Sequence, residues 1–270
     1  GVKSTVLQAK EKNFLKKYKP WGVILFSRNI KSINQTKKLT DNIRKIFKDK
    51  KYPILIDQEG GRVNRLNKLI ESSNFTGEFF GNLYKQNIKK FNVYSEIFIN
   101  QTCCLLEKIG VNINTVPVLD VRRKKSNKVI GNRSFGSNPK NVSKIGDYFI
   151  NQFKKNKIAT VIKHIPGHGL AKVDSHKSTP IVKSKLKNLN KIDFLAFKNK
   201  KSLFAMTSHV VYNDIDKNFT ATHSNKVIKI IRNKINFKNL LISDDISMKS
   251  LKFSIIKNTK KAFKAGCDLV

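Results

Sequence analysis

Short apolar runs ending in polar, chemistry-bearing residues recur along this chain, each followed by a segment with apolar residues at helical spacing. "WGVILF" (21–26) is a continuous apolar run of strand length, the pattern of a strand buried on both faces. "INQTKKLTDNIRKIF" has helical periodicity, and "YPILID" then ends at Asp57. The helical pattern "VYSEIFINQTCCLLEKIG" stops at Gly110, a C-cap glycine, before "VNINTVPVLD" runs to Asp120. "NVSKIGDYFINQFKKNK" precedes "ATVIKH", ending at His164, and "LKNLNKIDFLAFKNK" precedes "SLFAMTSH", ending at His209. "SNKVIKIIRNKI" precedes "NLLISDD", which reaches Asp244 and Asp245, and "IIKNTKKAFKAG" precedes "CDLV". Repeated strand–helix units with short connections predict an α/β fold with a parallel sheet. A doubly wound sheet would gather function at one switch point. Here nearly every strand ends in a functional group, as on the C-terminal face of a TIM-type (β/α)8 barrel. Seven strands are legible rather than eight. The expectation is therefore a single barrel domain over residues 1–270, incomplete, with its first strand and last helix absent.

Composition narrows the class. Apolar residues make up 39% of the chain, enough for a packed core, which excludes wholesale disorder. No apolar run approaches the ~18–20 residues of a membrane helix, and no charged segment followed by an apolar stretch opens the chain, so no membrane association and no signal peptide are expected. Cys103, Cys104 and Cys267 form no disulfide framework and read as reduced thiols, so a cytoplasmic setting is expected. Lysine and arginine number 55 against 18 acidic residues, a net charge of +37. That balance suits a polyanion partner, yet the lysines are spread over nearly every segment. They read as a lysine-heavy surface rather than a nucleic-acid stripe.

The densest chemistry lies in "VIKHIPGHGLAKVDSHKSTP" (161–180), with three of the five histidines. Gly167 and Gly169 permit unusual backbone angles and mobility after the strand. Asp174 and His176 stand two apart, and a carboxylate beside an imidazole fixes its tautomer and raises its proton affinity, giving a general acid/base near neutral pH. The same histidines with Asp174 also suit a zinc or iron site in ligand type, but their spacing fits no tight ligand motif. Asp244 and Asp245 offer a nucleophile or a stabiliser of a cationic transition state, or a turn or cap. "IDQEGGRVNRL" brings Asp57, a Gly60-Gly61 pair and Arg62 and Arg65, a set suited to sugar hydroxyls, without a nucleotide-binding glycine motif. "IGNRSFGSNP" adds Arg133 in a glycine-flanked loop.

Taken in order, "GVILFSRN", "LIDQEGGRVNRL", "VNINTVPVLDV", "IGNRSFGSNP", "KHIPGHGLAKVDSH", "MTSHVVY" and "LLISDDISM" resemble glycoside hydrolase family 3. The likeness is closer to its bacterial β-N-acetylhexosaminidases of cell-wall recycling, and it runs from Trp21 to Val270. The resemblance implies Asp244 as catalytic nucleophile and His176, paired with Asp174, as acid/base on a mobile loop. It implies Asp57, Arg65, Arg133, Lys163 and His164 as the residues holding a terminal N-acetylglucosamine. The implied function is a retaining β-N-acetylglucosaminidase acting on muropeptides through a covalent glycosyl-enzyme, with no metal and no organic cofactor. Two other readings stand beside it: a phosphorylase using the same dyad, and a basic nucleic-acid-binding protein on a decayed scaffold. The family usually has Asp where Asn132 stands, so Asn132 removes a possible charge partner for Arg133. Leu170 to Val173 form an apolar, lysine-bearing insert where the family is often polar.

Overall fold

The computed structural model describes residues 1–123 and 128–270. Its framework is a six-stranded sheet, all parallel, in the order β1-β2-β3-β4-β6-β8. The strands are β1 (Val23–Leu25), β2 (Ile54–Ile56), β3 (Ile113–Asn114), β4 (Ala159–Ile165), β6 (Phe204–Thr207) and β8 (Leu240–Ser243), and Leu269 bridges to Ile242 in parallel beyond β8. Two further strands, β5 (Ile181–Val182) and β7 (Val211–Tyr212), form their own small parallel ladder. The helices are α1 (Ala9–Tyr18), α2 (Ile33–Phe47), α3 (Gly77–Gln86), α4 (Ile88–Lys108), α5 (Pro139–Lys155), α6 (Leu186–Lys191), α7 (Asn225–Asn233) and α8 (Ile255–Ala265).

Strand alternation divides the apolar residues between two cores. One residue type faces outward under the helices, building the large cluster that includes Leu25, Ile54, Ile56, Ile162, Ala205 and Leu241. The intervening residues Leu55, Ile113, Val161 and Phe204 form a second cluster, joined by Ile24, Met206, Ile242 and Leu269. Residues from β1 at one edge and from β8 and Leu269 at the other pack into this one inner cluster. The sheet is therefore curled, as a half-barrel or more, around a side-chain-filled interior.

This curled parallel sheet is the α/β framework expected of an incomplete barrel, without the closure of a full (β/α)8 ring. Among the described residues no ladder closes β1 onto the opposite edge, and the seventh expected strand is reduced to the Leu269 bridge. "VNINTVPVLD" also departs from a continuous strand. Pro117 has no N–H to give the ladder, so β3 stops at Asn114 and pairing with β4 resumes only when Lys163 N donates to Pro117 O (3.1 Å) and Leu119 N to Lys163 O (2.8 Å). The long helix expected over "LKNLNKIDFLAFKNK" breaks into α6 and a 3-10 turn, Phe194–Phe197. Between them Asp193 turns into the interior and pairs with Arg123 at 2.7 Å. Helices α1 and α3 were not anticipated from the sequence pattern.

Helix ends follow local chemistry. Ser32, Thr76, Asn87, Asn138, Ser224 and Ser254 cap α2, α3, α4, α5, α7 and α8, each side chain accepting from a first-turn amide. Of the lysines among the described residues, only Lys163 and Lys200 are buried. The others stand on outward faces of many elements rather than in one groove. No helix among the described residues is long and apolar enough to cross a membrane.

Under α3, α4 and α5, Phe80 packs against Phe75, Phe79, Phe98 and Phe149 with ring centroids 5.1–6.4 Å apart. Phe80 is 1% exposed. Phe80→Ala is expected to cost about 3–5 kcal/mol by deleting these contacts and leaving a cavity, measurable as a lowered urea midpoint at unchanged slope.

Candidate active site

Five of the parallel strands deliver their C-terminal ends to one mouth, and the polar residues singled out in the sequence collect there. From β2 come Asp57 and, two residues on, Glu59; from β4 comes Lys163, 2% exposed. The Lys163 ammonium reaches Asp57 Oδ1 at 3.0 Å, Glu59 Oε1 at 2.7 Å and Thr115 Oγ1 at 2.9 Å, using all three of its donors. Glu59 also takes a fork from Arg133, with Nε to Oε2 at 2.8 Å and Nη2 to Oε1 at 2.7 Å. Thr115 donates to Asp57, and Arg65 Nη2 stands 3.6 Å from Asp57 Oδ2. Asp57, Arg65, Arg133 and Lys163 are thus one ionic cluster, with Glu59 as its centre.

Burial alone would raise the Asp57 and Glu59 carboxyls. For Glu59, Arg133 and then Lys163 more than offset it; for Asp57, Lys163 does so with Thr115. Both end below the ordinary carboxylate range. Burial likewise opposes the charge on Lys163, but Asp57 and Glu59 hold its ammonium above the usual value. Burial opposes the charge on Arg133 too, and Glu59 more than offsets it, holding the guanidinium above its usual value. Asn132 costs Arg133 nothing here, because its charge partner is Glu59.

His164 belongs to a second group. Its Nδ1 donates to Asp120 Oδ2 at 2.7 Å, and the amide of His168 donates to Asp120 Oδ1 at 2.6 Å. Asp120 is fully buried; burial would raise its carboxyl, and His164 and His168 bring it below the ordinary value. The bond to Asp120 fixes His164 with Nε2 as its remaining nitrogen. His168 lies edge-on to His164 at 5.8 Å, and its ring is pushed down to about 4 by burial, with His164 adding to it. His168 therefore braces the strand exit through its backbone.

Lys163 and His164 are adjacent, yet both serve this mouth. Simple alternation would send one outward. The β4–β6 register slips between Lys163↔Met206 and Ile165↔Thr207, leaving His164 as the extra residue of a bulge, a device that re-aims side chains beside active sites. Beyond it, the glycines serve packing more than the mobility expected of them. Gly167 has φ +138°, and a Cβ on Gly169 would stand 1.9 Å from the Val121 carbonyl oxygen. Gly167, His168 and Gly169 are all buried, and the Gly167 carbonyl accepts from Tyr212.

Past this packed root come Asp174, half-buried, and His176, exposed. His176 Nδ1 donates to Asp174 Oδ1 at 2.8 Å, and the His176 amide reaches the same oxygen at 2.9 Å. Partial burial would raise the Asp174 carboxyl; the bonds from His176 bring it below the ordinary value. The His176 side chain is 62% exposed. Asp174 lies within electrostatic reach of Arg62, whose guanidinium binds the carbonyls of Lys128 (2.9 Å) and Val129, so the loops after β2, β3 and β4 converge.

Asp244 follows β8 and is half-buried. It lies within electrostatic reach of His168 and His209, and its Oδ1 accepts the amide of Asp245 at 2.8 Å. Among the described residues it makes no hydrogen bond to the ionic cluster or to the Asp174–His176 pair. Asp245 is a turn residue: its carboxylate accepts from Ser247 N (2.8 Å) and Oγ (2.6 Å), and its carbonyl accepts from His209 Nε2 at 3.0 Å. The Asp244 and 174–176 segments share one end of the molecule, since the Ser250 amide donates to the Ser175 carbonyl at 3.1 Å.

The metal-site reading finds no matching geometry. His164 and His168 are engaged around Asp120 while Asp174 binds His176, and among the described residues no three candidate ligands are grouped to hold an ion. Gly60-Gly61 does not cradle a phosphate with its amides either, because Gly61 N is committed to Ser72 O at 2.9 Å. Sequence reasoning missed Glu59 and gave Asp120 no role beyond marking a strand end. The Asp-x-Glu spacing after β2 was the available signal for Glu59.

Glu59→Gln leaves two buried cations short of compensation and is expected to lower stability by about 3 kcal/mol at pH 7, read from urea unfolding. The carboxyls of Asp57, Glu59 and Asp120 are all depressed in the fold. The stability they contribute is complete above about pH 5 and fades as pH falls toward their folded values. Between about pH 5 and 2, ΔG should therefore fall steeply for the wild type and less steeply for Glu59→Gln.

The glycosyl hydrolase family 3 N-terminal domain matches residues 2–270. A β-hexosaminidase of Actinobacillus pleuropneumoniae serotype 5b is 32% identical over 279 residues, covering 100% of this chain and 78% of the relative. A β-hexosaminidase of Haemophilus ducreyi is 32% identical over 284 residues with the same coverages, 100% and 78%. Among solved structures, NagZ from Neisseria gonorrhoeae in complex with N-trifluoroacetyl-D-glucosamine superposes with TM-score 0.89 at 29% identity, covering 100% of this chain and 79% of that one. A family 3 β-N-acetylglucosaminidase from Paenibacillus sp. FPU-7 gives 0.89 at 25% identity, covering 100% and 52%. With the ionic cluster, the Asp–His pair and Asp244 carried on the loops at one end of the sheet, this chain belongs to glycosyl hydrolase family 3 and is a glycoside hydrolase of its β-hexosaminidase branch.

Proposed function

We propose that the protein is a retaining β-N-acetylglucosaminidase that removes terminal N-acetylglucosamine from muropeptides. The observation that carries this reading is the pair His176–Asp174, bonded at 2.8 Å with the imidazole exposed, on a segment bonded to the one that follows Asp244. Asp244 attacks the anomeric carbon, the bond to the leaving oxygen breaks, and His176 Nε2 gives that oxygen its proton. Water then attacks the glycosyl-aspartate ester, losing a proton to His176 and freeing Asp244. Two carboxylates normally share this work. An imidazolium in place of one adds no negative charge beside the developing oxocarbenium ion.

Asp57, Arg65, Arg133, Lys163 and His164 are assigned to grip the terminal sugar. Hydroxyl groups both donate and accept, and a cluster holding carboxylates and cations together offers both complements. The NagZ structure from Neisseria gonorrhoeae, in complex with an N-acylated glucosamine, supports this substrate class. The muropeptide aglycone and a cytoplasmic setting belong to the same proposal; three free cysteines, two of them buried, suit a reducing compartment.

Incubation with an aryl β-N-acetylglucosaminide, followed by mass spectrometry of the peptide holding Asp244, is the direct test. Asp244→Asn is expected to lose at least about 10³-fold in turnover while unfolding at the wild-type midpoint; full activity would refute the nucleophile. His176→Ala is expected to lose about 10²-fold on substrates with poor leaving groups and far less on activated aryl glycosides. Equal losses on both would remove its proton-donor role. Reactions run with and without phosphate separate hydrolysis from phosphorolysis; sugar 1-phosphate as sole product would overturn the hydrolase.

A further inference from the structure

The stretch that carries Asp174 and His176 is tied twice to one residue of the connection between β8 and α8. Ser250 N donates to the carbonyl of Ser175, the residue between Asp174 and His176, at 3.1 Å, and Thr179 Oγ1 donates to the carbonyl of Ser250 at 2.8 Å. Ser175 and Ser250 are buried, at 5% and 1% exposure. The β8–α8 connection is itself stiffened. Met248 N bonds Asp245 O at 3.1 Å, Leu251 N bonds Met248 O at 3.0 Å, and the Asn258 amide of α8 holds the carbonyls of Ile246 and Phe253, both at 3.0 Å. A continuous hydrogen-bonded path therefore joins the Asp244 turn to the Asp174–His176 pair without passing through a substrate.

We propose that Thr179 is a positioning residue whose hydroxyl latches the acid/base loop to the segment that follows the nucleophile. The proposal rests on the reading of His176 as proton donor and adds to it the element that registers donor and nucleophile with each other. Thr179 Oγ1 is the side-chain member of the latch; the Ser250–Ser175 bond is between backbone groups. The latch borders a cavity of about 90 Å³ lined by Thr179, Ile181, Phe219, Thr220, Ser250 and Phe253 among others. The fastenings at Ser175 and Thr179 bracket His176, so loss of the second loosens the hold of the β8–α8 connection on the stretch that carries the imidazole.

The test compares Thr179→Val, which keeps the shape and deletes the donor, with Thr179→Ser, which keeps the donor. Aryl β-N-acetylglucosaminides of graded leaving-group ability are the probes. Thr179→Val is expected to lose about tenfold or more in kcat/KM with poor leaving groups and less than about twofold with 2,4-dinitrophenol. Thr179→Ser should restore the wild-type pattern, and amide exchange at residues 175–177 should quicken in Thr179→Val alone. An active wild type with leaving-group-sensitive His176→Ala, beside a Thr179→Val that matches the wild type or loses equally on every substrate, overturns the latch and leaves the function standing. A wild type inactive on every probe, or His176→Ala with no leaving-group dependence, overturns the function and the latch together.

Discussion

A buried carboxylate shared by two cations holds this site together. Removing an isolated ion from water costs an idealised ~20 kcal/mol, so neither Lys163 nor Glu59 could be buried alone at the strand ends. Each is tolerable because the set is complete: three acceptors on the ammonium, a guanidinium fork and an ammonium on the Glu59 carboxylate, and Asp57 closing the ring. The choice of cation at each position follows from shape. A compact ammonium can serve three acceptors arrayed around a point, while a planar guanidinium meets one carboxylate along two parallel bonds. This network joins β2, β3 and β4 to the loop carrying Arg133, and it holds the polar groups of the mouth in one fixed arrangement.

Asp120 does comparable work on a smaller scale. One carboxylate fixes the imidazole of His164 and the backbone of His168, so the bulge that brings Lys163 and His164 to one mouth is braced where it leaves the sheet. The loop beyond is divided in two. Its root is buried and leaves no room for a Cβ at Gly169, while its outer half carries the exposed imidazole. Reach at His176 is thus combined with a fixed attachment a few residues away.

Much of the framework was legible because a parallel sheet writes continuous apolar runs between helical periods, and because its strand ends gather on one face. That logic located Asp57, Asp120, His164, His209 and Asp244 from spacing alone. It failed where tertiary contacts override local pattern. Pro117 cuts β3 short, Asp193 ends α6 to meet Arg123, and β5 with β7 forms a ladder too brief to leave a periodic trace. In the site, alternation could not foresee that neighbours Lys163 and His164 act on one face. It also could not show that Glu59 would sit at the centre of the charges, since its partners lie 74 and 104 positions away in the chain. The distinction between Asp244 and Asp245 was open from pattern; the turn bonds made by Asp245 give that residue a structural occupation of its own.

The interior keeps its charges nearly balanced while the exterior does not. With all but two of the described lysines standing in water and a net charge of +37, the folded shell travels within a dense atmosphere of mobile anions. At low ionic strength that shell strains against itself over distances set by the Debye length, ~10 Å at 0.1 M and ~30 Å at 0.01 M. Salt thins that cloud and weakens the pull of the whole surface on any anion, whereas the ion pairs buried behind the strand ends, each compensated by its neighbours, are screened far less.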